Sequence, residues 1–237
     1  MNQKKISIAI DGPAGSGKST IAKSVALRFG YIYIDTGAMY RAITLKALRN
    51  SILLTDNQQL TKLAQDTEVY LEYEYITDGS ILHVIMDGLD VSEEIRTLEV
   101  TNNVSVVAAV AGVREAMVSL QRNMAKTGGV VMDGRDIGTI VLPKAELKIF
   151  LTASVTERSK RRWLELKEKG IEVELETLEE QIRQRDYYDS HREINPLRQA
   201  KGAILLDTTN LNIDQVVSKV VELAVAKGAK LLICKLL

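Results

Sequence analysis

The chain has 237 residues, with 31 lysines and arginines against 31 aspartates and glutamates, and 46% of it is hydrophobic. That is enough for one generous domain with appended lobes and a real core; with no net charge there is no general attraction to nucleic acid or membrane, so any anion must be met by local clusters. Cys234 is the only cysteine, which excludes an internal disulfide and suits a reducing cytoplasm, while Met1 to Lys5 is too polar for a signal peptide and no apolar run reaches membrane-span length.

Lys5 to Ile10 reads as a buried strand. Lys18 to Phe29 follows with helical spacing, Ile21, Val25 and Phe29 sharing one side. Gly30 ends that helix, Tyr31 to Asp35 is the next strand, and a second helix after Gly37 carries Met39, Tyr40 and Ile43. The style then changes: Glu68 to Tyr75 and Ile81 to Met86 alternate, and Asp78-Gly79 between them signals a hairpin. This is an inserted antiparallel sheet, about 68–86. Ile95 to Lys126 reads as helical in two pieces around Gly112. Gly129 to Asp133 and Leu147 to Ala153 are buried strands, Glu157 to Lys169 and Leu178 to Arg192 charge-dense helices, Ala203 to Asp207 a last strand and Ile213 to Ala226 a last helix. The apolar tail from Lys230 could pack on the core or on a partner.

Five apolar strands separated by helices imply an α/β fold with a doubly wound parallel sheet. Ligands of such sheets bind at the carboxyl ends of the strands, where Asp11, Asp35, Asp133 and Asp207 fall.

Between the first strand and first helix stands Gly12-Pro13-Ala14-Gly15-Ser16-Gly17-Lys18-Ser19-Thr20. It satisfies G-x-x-x-x-G-K-[ST] in the required strand–loop–helix setting. The glycines let backbone N–H groups turn inward around a phosphate chain, Lys18 supplies a point charge to the outer phosphates, and Ser19 offers a hydroxyl to Mg²⁺. The helix behind points its positive end at the same place. A nucleoside triphosphate is therefore the expected ligand.

No guanine-reading N-K-x-D follows the last strands, which argues against a GTPase. Arginines are instead placed to meet a second anion: Arg41 after "DTGAMY", Arg135 after Asp133 in "MDGRDIGT", then Arg158, Arg161 and Arg162 on one helix and Arg183, Arg185, Arg192 and Arg198 on and after the next. Phosphoryl transfer needs such a collection, because its transition state spreads charge over phosphoryl oxygens and catalysis is mostly positioning plus positive charge. The same arginines between Arg158 and Arg198 could also be a solvated helical face with i,i+4 partners. Two lone histidines, His83 and His191, make no metal site.

Several motifs together resemble the bacterial cytidylate kinases, in that family's order and over almost the whole chain: "IDGPAGSGKST", "DTGAMYRA", "EEIRT", "VREAM", "MDGRDIGT" and "RDYYDSHREINPL". The resemblance implies a nucleoside monophosphate kinase that moves the γ-phosphoryl group of ATP to CMP or dCMP, with Lys18, Arg135 and Arg162 catalytic. It places ATP on residues 12–20 with Arg158 and Arg161, and Mg²⁺ on Ser19 and, through water, Asp133. Arg41, Arg135 and Arg192 would grip the acceptor phosphate. Ser105, Arg114 and Asp136 match base-reading positions, Arg185 and Asp189 sugar-holding ones, and Thr36 stands where relatives have Ser or Thr. The implied organisation is a P-loop core (1–36, 125–153, 193–237), a monophosphate-binding lobe (37–124) and a lid with its following helix (154–192), in a cytoplasmic monomer. Another small acceptor, or an ATP-binding switch without transfer, remain the rival readings.

Overall fold

The computed structural model describes residues 5–76, 79–168 and 170–232. It divides into two compact units, Met1–Tyr33 with Thr127–Leu237, and Ile34–Lys126.

The first unit is built on a five-stranded sheet of order β2-β6-β1-β7-β8, comprising β1 (Ser7–Asp11), β2 (Ile32–Asp35, entering with Ile32 and Tyr33), β6 (Val130–Gly134), β7 (Leu147–Thr152) and β8 (Ile204–Asp207). β1 pairs parallel with β6 and β7, and β7 with β8. All five residues of β6 are buried, as are the last four of β1, because helices cover both faces of a parallel sheet. β8, at the edge, alternates between half-buried and exposed. α1 (Lys18–Phe29) packs on β6 and on α8 (Ile213–Ala226), and α6 (Val155–Glu168) pairs with α7 (Leu175–His191). α7 thus starts three residues before the predicted helix, at Leu175. Asp11 lies opposite Gly134 in the register, so the loop after β1 and the loop after β6 leave the sheet side by side. Near the end of the described chain, the Leu232 amide donates to the Arg28 carbonyl at 2.9 Å; Cys234 lies outside the described residues.

The second unit contains α2 (Thr36–Arg49), α3 (Asn57–Gln65), α4 (Leu98–Val107), α5 (Ala111–Met124) and the antiparallel sheet β3 (Val69–Ile76), β4 (Gly79–Met86) and β5 (Leu89–Asp90). The hairpin register runs from Val69 opposite Met86 to Ile76 opposite Gly79; Thr77 and Asp78, part of the predicted turn, lie outside the described residues. α3 escaped sequence analysis because only Leu60 and Ala64 of its nine residues are buried, too sparse a stripe to read.

The two helical pieces expected around Gly112 are present, but the glycine is not itself the break. The chain bends by 100° between α4 and α5, at Ala108–Val110, and Gly112 is the second residue of α5. The glycine serves a close approach: a Cβ there would lie 2.8 Å from Thr61 Cβ on α3 and nearer still to its Oγ1 and Cγ2. Gly112→Ala is therefore expected to force the two helices apart and cost about 1–3 kcal/mol, measured as a lowered urea midpoint.

Candidate active site

The phosphate loop closes on its own lysine. Lys18, first residue of α1, is buried, and its Nζ donates to the Pro13 carbonyl at 2.6 Å and lies 3.2 Å from Ser16 Oγ. Ser16 itself donates to Pro13 O at 3.0 Å. α1 has no side-chain cap; Gly17 precedes it in the left-handed conformation, φ 84°, so its first N–H groups remain available to an anion. Burial, and then the charge of Arg135, hold the Lys18 ammonium well below the usual lysine range, against the pull of Asp133. An anionic partner in the loop would reverse that cost.

Ser19 and Asp133 meet across this loop. The Ser19 hydroxyl donates to Asp133 Oδ2 at 3.0 Å, and the buried Tyr33 phenol donates to Oδ1 at 2.9 Å. A hydroxyl and a carboxylate are hard oxygen donors, the set that Mg²⁺ accepts while keeping waters and substrate phosphates as its other ligands. The residues fit the ion that the resemblance implies. Among the described residues no group of three or more His, Cys, Asp or Glu could hold a metal, so this pair would act with the nucleotide and not as a self-sufficient cage.

A second charged cluster leaves the neighbouring strand end. Arg135 Nε donates to Asp189 Oδ2 on α7 at 2.7 Å. Burial alone would raise the Asp189 carboxyl, but the Arg135 guanidinium holds it below the usual range, with Arg185 and Arg192 adding to the effect. Arg192, at the end of α7, donates from Nε to the Asn195 carbonyl at 2.7 Å and stands 3.5 Å from Asp136. Arg135, Asp136, Arg185, Asp189 and Arg192 are therefore grouped within one unit. All are charged, the two aspartates buried and the three arginines half-buried, a combination that clusters at functional sites.

The three arginines of α6 part company. Arg162 pairs with Glu165 at 2.7 Å on the same helix. Arg161 pairs with Glu157 at 2.9 Å and donates to the Thr208 carbonyl at 2.7 Å. Arg158 is turned inward. Arg183 is exposed and pairs with Glu179 at 3.5 Å. Helical-face pairing thus describes Arg162 and Arg183 in this structure, and leaves both guanidinium groups at the surface.

In the second unit, Thr36 opens α2 and is buried, with Asp35 capping the helix by accepting from the Ala38 amide at 2.9 Å. Arg41 lies one turn on; a Cβ at Gly37 would sit 3.3 Å from its Nη1. Ser105 is half-buried on α4. Arg114 is 2% exposed, donates to the Ala108 carbonyl at 2.9 Å and places its guanidinium 5.5 Å from the Tyr40 ring centre.

A family model described as cytidylate kinase matches residues 8–226. The chain belongs to the cytidylate kinase family. It is 53% identical over 221 residues to a cytidylate kinase from Desulfitobacterium hafniense, covering 93% of each chain. It is 56% identical over 225 residues to one from Bacillus velezensis, covering 95% of this chain and 99% of the relative. Among solved structures, an uncharacterized protein from Eubacterium ventriosum shares the fold at 13% identity and a TM-score of 0.50, over 94% of this chain and 99% of that one. As a cytidylate kinase family member the protein is an ATP-dependent phosphotransferase.

Sequence reasoning missed four residues that build this kinase's charged clusters. Asp11, 3% exposed, accepts from the amides of Ile137 and Gly138, both at 2.7 Å, and so fixes the wide turn Ile137–Val141 directly after Arg135 and Asp136. Burial pushes its carboxyl up to about 6 even though those two amides pull it down. Tyr33 orients Asp133. Asn195, at φ 52°, presents its carbonyl to Arg192, and Asp186 pairs with Arg158 at 2.6 Å. The position of Asp11 at a strand end was visible; what it holds was not. Tyr187 and Tyr188 are exposed on α7, at 60% and 65%.

Proposed function

We propose that the protein transfers the γ-phosphoryl group of ATP to CMP or dCMP, giving ADP and CDP or dCDP, as a cytoplasmic monomer. The observation that carries this is the pairing of two anion-binding groups on adjacent strand ends: the loop 12–20 after Asp11, and the Arg135–Asp189 and Arg192–Asp136 pairs after Gly134. One suits a triphosphate, the other a monophosphate with its sugar and base.

Residues 12–20 bind the ATP phosphates through backbone N–H groups and Lys18. Arg161 and Arg162, released from their protein partners, add positive charge to the donor. Ser19 and Asp133 would hold Mg²⁺, which would supply positive charge to the phosphoryl oxygens. Arg135 and Arg192 hold the acceptor phosphate. Arg185 and Asp189 hold its sugar; Thr36, Arg41, Ser105 and Arg114 are residues that the family resemblance assigns to CMP. The attacking oxygen belongs to a phosphate already ionised at neutral pH. No general base is needed, and positioning with electrostatic stabilisation suffices.

Asp136 carries the choice of base. A carboxylate accepts from the N4 amine of cytosine; uracil presents an acceptor at that position. Each mismatched buried group costs about 1–3 kcal/mol, about 5- to 150-fold in kcat/KM. Offered each nucleoside monophosphate with ATP and Mg²⁺, the protein is expected to release ADP fastest with CMP and dCMP. Asp136→Asn, which can donate as well as accept, is expected to bring the CMP and UMP rates within about tenfold of each other. Preferred turnover of UMP, AMP or a non-nucleotide by the parent would replace the acceptor assigned here. ATP binding without CMP-dependent ADP release would leave a switch in place of a kinase.

A further inference from the structure

Arg158 stands on the first turn of α6 and, unlike its neighbours Arg161 and Arg162, is 4% exposed. Its three nitrogens reach three different elements. Nε donates to the Ala153 carbonyl just past β7 at 2.9 Å, and Nη1 to the Ala14 carbonyl in the phosphate loop at 2.9 Å. Nη2 meets Asp186 Oδ2 on α7 at 2.6 Å. The fit is tight on the loop side: Gly15 has φ 72°, and a Cβ there would lie 3.1 Å from Arg158 Cβ and 3.2 Å from its carbonyl oxygen. On the α7 side, the other oxygen of Asp186 is buried with no hydrogen-bond partner among the described residues. Asp186 follows Arg185 directly and precedes Asp189 by one helical turn, and its field also favours the charged form of Arg135.

A guanidinium spread in this way is a planar three-way bracket. Its rigid fork serves several acceptors at once, which a lysine ammonium on a flexible stem cannot reproduce. Two of its bonds run to main-chain carbonyls and so fix backbone. We propose that Arg158 is a positioning residue and not a phosphate ligand: it ties the Ala14 carbonyl of the donor loop to Asp186 on the acceptor helix α7, so that occupation of one subsite presets the other. The inference rests on the assignment of α7 to the acceptor made above. It converts two neighbouring anion sites into coupled ones. By linkage, a triphosphate that orders the loop must tighten CMP binding by the same factor that CMP tightens the triphosphate.

The test is calorimetric, on the full chain, with a non-hydrolysable ATP analogue and Mg²⁺, with CMP, and with each in the presence of the other. The parent is expected to bind CMP at least about fivefold more tightly when the analogue is saturating. The ion pair of Asp186 runs to Arg158 and not to the phosphate loop, yet Asp186→Asn is expected to weaken the analogue at least fivefold and to reduce the coupling to within twofold of none. Arg158→Lys should do the same. The double variant should be no worse than the weaker single, because both break one bracket. If Arg158→Lys lost analogue affinity while Asp186→Asn kept both affinity and coupling within twofold of the parent, Arg158 would be a direct ligand and the proposal wrong. Unchanged binding in both variants would overturn it equally. Should Arg158→Lys fail to fold, Asp186→Asn and Asp186→Ala decide by the same criteria. A parent that bound the analogue but no CMP would refute the acceptor reading; the analogue's affinity for Asp186→Asn would then uphold or overturn the bracket alone.

Discussion

Lys18→Met is expected to abolish phosphoryl transfer while leaving the empty protein as stable as the parent or more so. The two effects have one origin. Lys18 is a buried cation whose visible partners are a carbonyl and a hydroxyl, at 2.6 and 3.2 Å, and burial with the repulsion of Arg135 disfavours its charged form. Without nucleotide the ammonium is a cost; beside the outer phosphates of ATP it is a stabiliser of the charge that develops in transfer. Removing such a group lowers kcat by about a hundred- to a thousandfold. Methionine retains the apolar stem, so the cavity term is small, and each kcal/mol recovered would raise the midpoint of thermal unfolding by about 2–4 °C at this size. The pH dependence has a definite sign. A lysine held below its usual 10.5 in the folded state binds its proton more tightly when unfolded, so the parent gains stability as pH rises toward 10.5; the variant lacks that gain. Initial rates of ADP release and nucleotide-free melting curves decide the matter. Turnover within tenfold of the parent, or a midpoint lowered by more than about 5 °C, would remove Lys18 from the role given to it.

The sheet and the phosphate loop were legible because their signals are local. An apolar run, a glycine-rich turn and a helical stripe each fit in a window of a dozen residues, and β1, the loop and α1 lie where those windows place them. What the strand ends do was not legible, because it depends on partners far along the chain. Four aspartates were marked there. Asp133 joins Ser19, 114 residues away in sequence; Asp11 anchors the turn at Ile137, 126 residues away. Asp35 caps its own helix, and Asp207 accepts from the Thr209 hydroxyl and amide two residues on. One residue type at one kind of position does four different things, and composition alone cannot sort them. The arginines teach the same lesson in reverse. Arg158, Arg161 and Arg162 share a helix and a charge, yet helical phase turns the first into the interior and leaves the others to i,i+3 and i,i+4 partners. The break expected around Gly112 falls just before it, and the glycine itself answers Thr61 on another helix, which no local window contains.

Arg192→Ala should separate the two substrates more sharply than any other single change. Arg192 is the cap residue that ends α7, its side chain 7% exposed, held by the Asn195 carbonyl at 2.7 Å and set 3.5 Å from Asp136. On the proposed reading it grips the acceptor phosphate beside Asp136, the residue assigned to the base. Truncation removes a charge-assisted contact to CMP and strips Asp136 of a counter-charge. Losing one partner of a buried charged pair costs about 2–5 kcal/mol, so kcat/KM for CMP should fall between thirtyfold and several thousandfold. Its partners Asn195 and Asp136 lie on the acceptor side, and KM for ATP should stay within about threefold. Arg192→Lys is expected to recover little, since an ammonium cannot face the Asn195 carbonyl, Asp136 and a phosphate together as a planar fork does. A diagnostic follows from the Asp136 pair: adding Asp136→Asn to Arg192→Ala should cost less than Asp136→Asn costs alone, because the carboxylate it neutralises has already lost that partner. Equal losses for ATP and CMP would place Arg192 in the general stability of α7. Strict additivity with Asp136→Asn would mean that the two residues serve the acceptor independently.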